Sequence, residues 1–145
     1  MKRCKPLEKY IKKYTGINLK VYTVKYHHGG YGAYQKYYSR GYMTINEDLT
    51  DFKPLIWHEM GHLMMNDGKG FIEREVDAQL WAFKTLKELN LSKIYRDSLM
   101  WVNCRWGSLE NDSQNGYGKA RKIILETLNN QKKKYSRFAD PLKCI

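Results

Sequence analysis

Hydrophobic and polar positions near the N-terminus of the chain follow a helical period. Leu7, Tyr10, Ile11 and Tyr14 are spaced i, i+3, i+4 and i+7, which places them on one face of a helix. Gly16 follows directly and favours the end of that helix. The apolar face requires a sheet or another helix to cover it. The pattern therefore predicts a short amphipathic helix that packs on a larger core.

The following segments alternate with the period of β-strands. In residues 18–26, Leu19, Val21 and Thr23 alternate with Lys20 and other outward positions, as in a half-buried strand. Glycines and histidines then form a predicted turn. Two further β-like runs follow, at residues 33–40 and 42–46. We predict a small antiparallel sheet of three strands in the first third of the chain.

The rest of the sequence has helical patterns. Thr50 or Asp51 is a suitable N-cap for the first of these helices, and Pro54 would lie in its first turn, where a missing amide hydrogen costs little. Two glycines near residue 70 end it. The later helices are predicted at about residues 71–90, 92–105 and 119–131. Strands followed by helices indicate an α+β fold in one domain spanning residues 1–145.

Composition limits the class of protein. The 145 residues are 42% hydrophobic and include four Trp and twelve Tyr, so the chain should fold without disulfides and is not disordered. No run of about eighteen apolar residues and no signal peptide is visible. The cysteines Cys4, Cys104 and Cys144 are far apart and odd in number, which favours free thiols. We predict a soluble, cytoplasmic protein with no membrane contact.

The net charge of +11 is unevenly distributed. Residues 1–40 carry ten Lys or Arg and one acid, residues 41–90 carry five and nine, and residues 91–145 carry eleven and five. Basic ends of this kind attract nucleic acid, anionic surfaces or an acidic partner. A solvated lysine-rich surface is the alternative, since no DNA-reading motif accompanies the charge.

The middle of the chain contains a candidate metal site in the sequence WHEMGH. His58 and His62 are four residues apart, so their imidazoles share one face of a helix and can converge on one ion. Glu59 lies about 100° further round, where its carboxylate can reach a water on that ion. Gly61 would allow another segment to approach closely. The alternative is a chance match of polar residues on a helix.

A catalytic zinc site needs a third protein ligand. The next helix offers three acids, and its predicted apolar stripe consists of Ile72, Val76, Leu80 and Phe83. Glu73 and Asp77 flank that stripe one turn apart, whereas Glu75 points largely away. Glu73 is therefore the predicted third ligand, with Asp77 as a carboxylate that hydrogen-bonds a ligand histidine. Glu75 remains the alternative ligand, and a solvated helix start is the alternative for all three acids.

These residues resemble a known family. The segment YMTINEDLTDFKPLIWHEMGH followed by EREVDAQLWAF resembles the gluzincin zinc metallopeptidases, most closely the ImmA/IrrE-like group and the minimal gluzincins. The resemblance covers about residues 41–84 and implies a zincin-like fold with zinc bound by His58, His62 and Glu73. It further implies Glu59 as general base and Asp77 as the supporting aspartate. Val76 and the residues after it depart from the family pattern.

The resemblance implies a metallopeptidase that hydrolyses peptide bonds, with a specific intracellular regulatory protein as one expected substrate. Zinc would activate water while Glu59 moves the proton. The resemblance also implies that strand 42–46 pairs with an extended substrate. An oxyanion would need a further donor. The sequence offers five candidates without selecting among them: His27, His28, Arg74, Tyr95 and Tyr117.

The alternative function is a binding or regulatory protein that keeps the zincin fold with little or no turnover and engages nucleic acid or a partner through its basic ends. Glu59 counts against this alternative, because a purely structural zinc site needs no general base. A nucleic-acid-binding module with a fortuitous HExxH sequence is the third hypothesis, and it predicts no bound metal. The sequence determines neither the oligomeric state nor the substrate.

Overall fold

The computed structural model describes residues 2–25, 33–37, 42–65, 70–106 and 116–131, with the backbone alone for residues 33–37. The predicted turn at residues 27–32 lies outside this range, as do His27, His28 and Cys144. Within it, four strands precede most of the helices: β1 (Lys2–Arg3), β2 (Lys20–Val24), β3 (Ala33–Tyr37) and β4 (Tyr42–Asn46). The helices are α1 (Lys5–Thr15), α2 (Lys53–Met64), α3 (Phe71–Glu88), α4 (Ser92–Trp101) and α5 (Tyr117–Gln131). The predicted α+β class is confirmed.

The sheet is mixed, not antiparallel as predicted. Its order is β1-β2-β4-β3, with β2 parallel to β4 and β3 antiparallel to β4. Residue alternation is the same in both kinds of pairing, so the sequence pattern could not give the strand direction. The order also corrects the expectation for residues 42–46. Since β4 pairs on both sides, it has no open edge for a substrate, whereas β3 is at the end of the described sheet.

Helix α1 matches its prediction. Its buried face carries Leu7 and Ile11, and Gly16 ends it with a φ of 75° while its N–H donates to Lys12 O. A left-handed residue directly after the last turn is a common way to end a helix, and glycine adopts that conformation without strain. The helix contacts α2 through Tyr10, whose hydroxyl accepts a hydrogen bond from Trp57 Nε1 at 2.9 Å.

Helix α2 lies at the centre of the molecule. All nine residues from Pro54 to His62 are buried, and Pro54 lies in the first turn as predicted. The N-cap is Phe52, not Thr50 or Asp51, because a 3₁₀ turn at Glu47–Leu49 shifts the start of the helix. A helix buried on every side needs neighbours on every side. Here they include α1, α3 and α4.

Helices α2 and α3 approach each other closely at Gly61. A Cβ atom at this position would lie 2.1 Å from the carbonyl oxygen of Ala78 and 2.9 Å from its Cα. These are backbone atoms, which cannot rotate away as a side chain can. Gly61 is therefore what permits the crossing, as the sequence suggested. The crossing sets the residues around Ala78 directly against the HExxH residues of α2.

Helix α4 continues into a π-helical turn at Val102–Trp106. The wider turn buries Asn103 and Trp106, and Arg121 of α5 donates hydrogen bonds to both the carbonyl oxygen and Oδ1 of Asn103. Insertions of this kind are frequent near functional sites. In this protein the turn brings Trp106 to α2.

One continuous hydrophobic core joins the described elements. It includes residues of α1, the sheet and all four later helices, from Leu7 to Leu128. Trp101 and Trp106 belong to it, and Trp81 packs against it half-buried. None of the described helices is long and apolar enough to span a membrane.

The cysteines differ from one another. Cys4 is a free, half-buried thiol directly before α1, as predicted. Cys104 is disulfide-bonded, so the prediction of free thiols is wrong for this residue. Spacing in the sequence gave no signal for it, since a disulfide depends on which segments the fold brings together.

Candidate metal centre

The two histidines of the HExxH sequence face each other inside the protein. His58 and His62 lie one helical turn apart on α2, their ring planes are nearly perpendicular, and their centroids are 4.7 Å apart. The two Nε2 atoms are separated by 3.1 Å. Both residues are buried, with 3% and 5% of their surface exposed. The predicted convergence of the imidazoles is present.

A carboxylate from α3 completes this group. Oε2 of Glu75 lies 3.4 Å from His58 Nε2 and contacts His62 Nε2 even more closely. Glu75 is 6% exposed. Two imidazole nitrogens from one helix and one carboxylate oxygen from the next therefore meet at a single point in the interior.

The structure brings Glu75, and not the predicted ligand Glu73, to the two histidines. Glu73 is exposed in the first turn of α3, where an acid interacts favourably with the helix dipole. The buried stripe of α3 differs from the predicted one and consists of Glu75, Val76, Ala78, Gln79, Ala82, Phe83 and Leu86. The prediction followed only the large apolar residues, whereas the close approach at Gly61 turns the small and polar positions inward.

Gln79 makes the contact with a ligand histidine that was predicted for Asp77. Its Oε1 lies 3.0 Å from Nδ1 of His58, and a carboxamide oxygen only accepts hydrogen bonds, so Nδ1 carries the proton. Nε2 of His58 is the ring nitrogen that faces Glu75 and His62. Asp77 is half-buried on a neighbouring face of α3. Gln79 is one turn after Glu75, and the two side chains approach opposite sides of the His58 ring.

Tyr117 is the one oxyanion candidate that the described structure brings to this group. Its hydroxyl donates a hydrogen bond to Oε1 of Glu75 at 3.2 Å, which leaves Oε2 directed at the histidines. Tyr95 instead packs on Phe83, and burial raises the pKa of its hydroxyl. Arg74 is half-buried in the first turn of α3. The sequence named Tyr117 without a reason to prefer it, since no motif surrounds it.

Aromatic rings enclose His58. Trp101 and Trp106 form T-shaped contacts with its imidazole at centroid distances of 5.7 and 5.3 Å, and Trp106 contacts Tyr117 at 5.1 Å. Rings of this size exclude water and hold the imidazole in one orientation. They also lower the local dielectric constant, which strengthens every charge interaction inside the group.

The electrostatics favour an ionised Glu75. Burial raises the pKa of its carboxyl, but the adjoining imidazoles of His58 and His62 outweigh burial and hold that pKa well below its usual range. At neutral pH the group therefore presents a carboxylate. An anion this deeply buried requires a compensating positive charge.

The donor set fits a metal ion. Zinc bonds of about 2.0–2.2 Å in tetrahedral geometry place neighbouring ligand atoms about 3.3–3.5 Å apart. Two of the three donor pairs are near this spacing, at 3.1 Å for the two nitrogens and 3.4 Å for His58 with Glu75, while His62 and Glu75 lie closer together. Glu75 Oε2 receives no hydrogen bond within the described part of the chain, although it touches both rings. Among the eight buried polar residues in that part, five surround this point: His58, Glu59, His62, Glu75 and Gln79.

Glu59 is the remaining member of the group. It is 4% exposed, and one of its carboxylate oxygens lies within 4.8 Å of ring nitrogens of both His58 and His62. His58, Glu59 and His62 together form a group able to hold an ion. Glu59 is thus near both histidines on the same helix.

Comparisons with protein-family models, with curated proteins and with solved structures found no match to this chain.

Proposed function

We propose that the chain is a zinc-dependent metallopeptidase of the zincin-like type, in which His58, His62 and Glu75 bind the ion and Glu59 is the general base. The observation that carries this proposal is the meeting of two imidazole nitrogens and one carboxylate oxygen, with a second buried carboxylate beside them. Two His and one Glu are a ligand set of catalytic zinc, which keeps a fourth position for water or substrate.

The residues of the chain divide the chemistry among them. A bound zinc ion would act as a Lewis acid that activates water and polarises a peptide carbonyl. Glu59 accepts a proton from the attacking water and returns it to the leaving amine. Gln79 and Tyr117 hold His58 and Glu75 in their orientations, while Trp101 and Trp106 exclude bulk water from the buried side.

The proposed substrate is a peptide segment in an extended conformation. The backbone of β3 pairs with β4 on one side, and no other strand of the described sheet pairs with it. An open sheet edge binds extended peptides through main-chain hydrogen bonds. We propose that this segment belongs to an intracellular regulatory protein in the cytoplasm. The disulfide at Cys104 is more typical of proteins in an oxidising compartment.

The rival proposal is a zincin-like binding protein without turnover. It shares the three metal ligands, so metal analysis alone does not separate the two. The buried carboxylate of Glu59 favours the enzyme, because burying an ionisable group costs free energy that a purely structural site has no reason to spend.

The test is hydrolysis of an unstructured protein such as casein by the zinc-loaded wild type and by Glu59→Gln. Removing a general base lowers the rate by about 10²–10⁴-fold, while the zinc content should stay unchanged. Glu73→Gln is the matched control, since it removes an exposed glutamate from the neighbouring helix. Absence of cleavage by zinc-loaded wild type, or equal cleavage by Glu59→Gln, would favour the binding protein.

A further inference from the structure

A concave basic surface lies between α1 and the start of β2, and none of its lining residues belongs to the candidate metal centre. Its volume is about 420 Å³. The lysines that line it are Lys5, Lys9, Lys12 and Lys20, beside Arg3, and all four lysines are exposed. We call this surface the lysine groove.

The groove has almost no internal compensation for its charge. Its acid, Glu8, accepts two hydrogen bonds of 2.7 Å from Arg3 and a third from the Val21 N–H at 2.9 Å. The carboxylate is therefore engaged mainly with Arg3 and the backbone, and it also attracts the nearby charge of Lys5. Within the described part of the chain, no ion pair joins any of the four lysines of the groove to a carboxylate. Their charges are available to a partner.

The spacing of the lysines suits a line of phosphates. Lys5, Lys9 and Lys12 are at i, i+4 and i+7 of α1, on the side away from the buried Leu7 and Ile11. They span about 10 Å along the helix axis. One strand of B-DNA carries about three phosphates over that length. Three positive charges of the protein thus match three negative charges of a duplex strand.

We propose that the lysine groove binds the phosphate backbone of duplex nucleic acid without reading its bases. Among the described residues, no aromatic side chain lines the groove, so this part of the chain offers it none of the stacking platforms with which proteins bind single strands. No DNA-reading motif accompanies it either, and phosphate contacts alone carry no sequence information.

Other anionic partners fit the groove less well. Protein interfaces usually need an aromatic or apolar core, and the apolar residue in the lining, Leu19, is itself buried in the protein core. Stable membrane binding usually adds apolar side chains that enter the lipid, and the described residues of the groove supply no exposed one. Binding of nucleic acid, by contrast, is supplied largely by charge. The proposal is independent of the proposed peptidase activity.

The experiment measures binding of a short DNA duplex to the intact protein by fluorescence anisotropy over a range of salt concentrations. Four phosphate contacts predict a slope of log K against log salt of about −3.6. Replacing Lys5, Lys9 and Lys12 together by Gln should weaken binding at ~50 mM salt by at least about tenfold and make the slope less steep by about 2.7. Replacing the same three by Arg should preserve binding.

A matched variant separates the groove from the overall charge. Lys84, Lys119 and Lys122 are exposed on α3 and α5, and replacing these three by Gln changes the net charge by the same amount. This variant should bind the duplex like wild type. Equal weakening by both triple variants would overturn the proposal. So would tighter lysine-dependent binding of polyglutamate or of phosphatidylserine vesicles than of the duplex, because either result would identify a different partner.

Discussion

Oε1 of Gln79 accepts a hydrogen bond from Nδ1 of His58 at 3.0 Å, inside the protein. This bond fixes the tautomer of His58 and directs Nε2 at the point where His62 and Glu75 meet. Hydrogen-bond partners of this kind hold a ligand histidine in one orientation and raise its basicity. The role that a carboxylate would normally have is therefore held by a neutral amide.

Replacing Gln79 by Leu removes this hydrogen bond at nearly constant volume. We expect zinc affinity to fall by about 10–100-fold, as measured by competition with a chelator of known affinity. Asp77→Asn is the control, since Asp77 is half-buried on a neighbouring face of α3, and we expect it to change zinc affinity less. A larger loss in Asp77→Asn than in Gln79→Leu would show that the predicted aspartate, and not Gln79, orients the ligand.

Tyr117→Phe removes the hydroxyl that donates to Glu75 and leaves the ring between Trp106 and Phe71 in place. We expect weaker zinc binding with little loss of stability. Tyr10→Phe removes the partner of Trp57 Nε1 instead and should lower the free energy of unfolding by about 1–2 kcal/mol with unchanged zinc affinity. Zinc titration and urea unfolding of both variants check this. Equal zinc affinity in Tyr117→Phe and wild type would remove Tyr117 from the site.

Gly61→Ala tests the contact between α2 and α3. Alanine favours a helix over glycine by about 1 kcal/mol, but the added Cβ would lie 2.1 Å from a backbone oxygen of Ala78. Overpacking of this kind lowers the free energy of unfolding by about 1–3 kcal/mol. We expect a value at the upper end of that range because the backbone of Ala78 cannot move aside as a side chain can. We expect net destabilisation in chemical denaturation. Gly70→Ala meets no atom within 4 Å and should cost less than about 1 kcal/mol. A Gly61→Ala variant as stable as wild type would contradict the close approach of the α2 and α3 backbones at this position.

The stability of the N-terminal region should depend on pH through Glu8. The hydrogen bonds from Arg3 hold the pKa of the Glu8 carboxyl below its ordinary value of 4.5. A lowered folded-state pKa means that the stabilisation is present above the unfolded-state pKa and is lost as the pH falls through the folded-state pKa. The difference in unfolding free energy between wild type and Glu8→Gln should thus shrink on acidification from neutral pH to below about 4. A difference that grows on acidification would contradict this assignment.

The sequence predicted those features that depend on local periodicity. Helix α1 and its end at Gly16, the strand at residues 42–46 and the helices after it follow from spacing and from Gly and Pro positions. The convergence of His58 and His62 also follows, because both lie on one helix. In each case the relevant interactions are between residues close in the chain.

Features that depend on contacts between distant segments were not predicted. The direction of β2 relative to β4, the disulfide at Cys104 and the choice of Glu75 over Glu73 all depend on how elements pack. Glu73 and Glu75 differ by about 200° around α3, so the rotation of this helix decides which one reaches the histidines. The contact between Gly61 of α2 and Ala78 of α3 sets that rotation. The periodicity of α3 alone does not reveal it, because Gly61 is on a different helix.

The most direct test of the account is zinc binding by wild type, Glu75→Gln and Glu73→Gln under identical conditions, with His58→Ala as a variant that should lose the ion. The account predicts about one zinc per chain in wild type, full retention in Glu73→Gln, and a loss of affinity beyond about 100-fold in Glu75→Gln, larger than that expected from an outer-shell partner. Retention of zinc by Glu75→Gln together with its loss in Glu73→Gln would contradict the site described here. Absence of zinc in folded wild type supplied with the metal would also contradict it, because His58, His62 and Glu75 would then be a buried structural cluster and not a metal site.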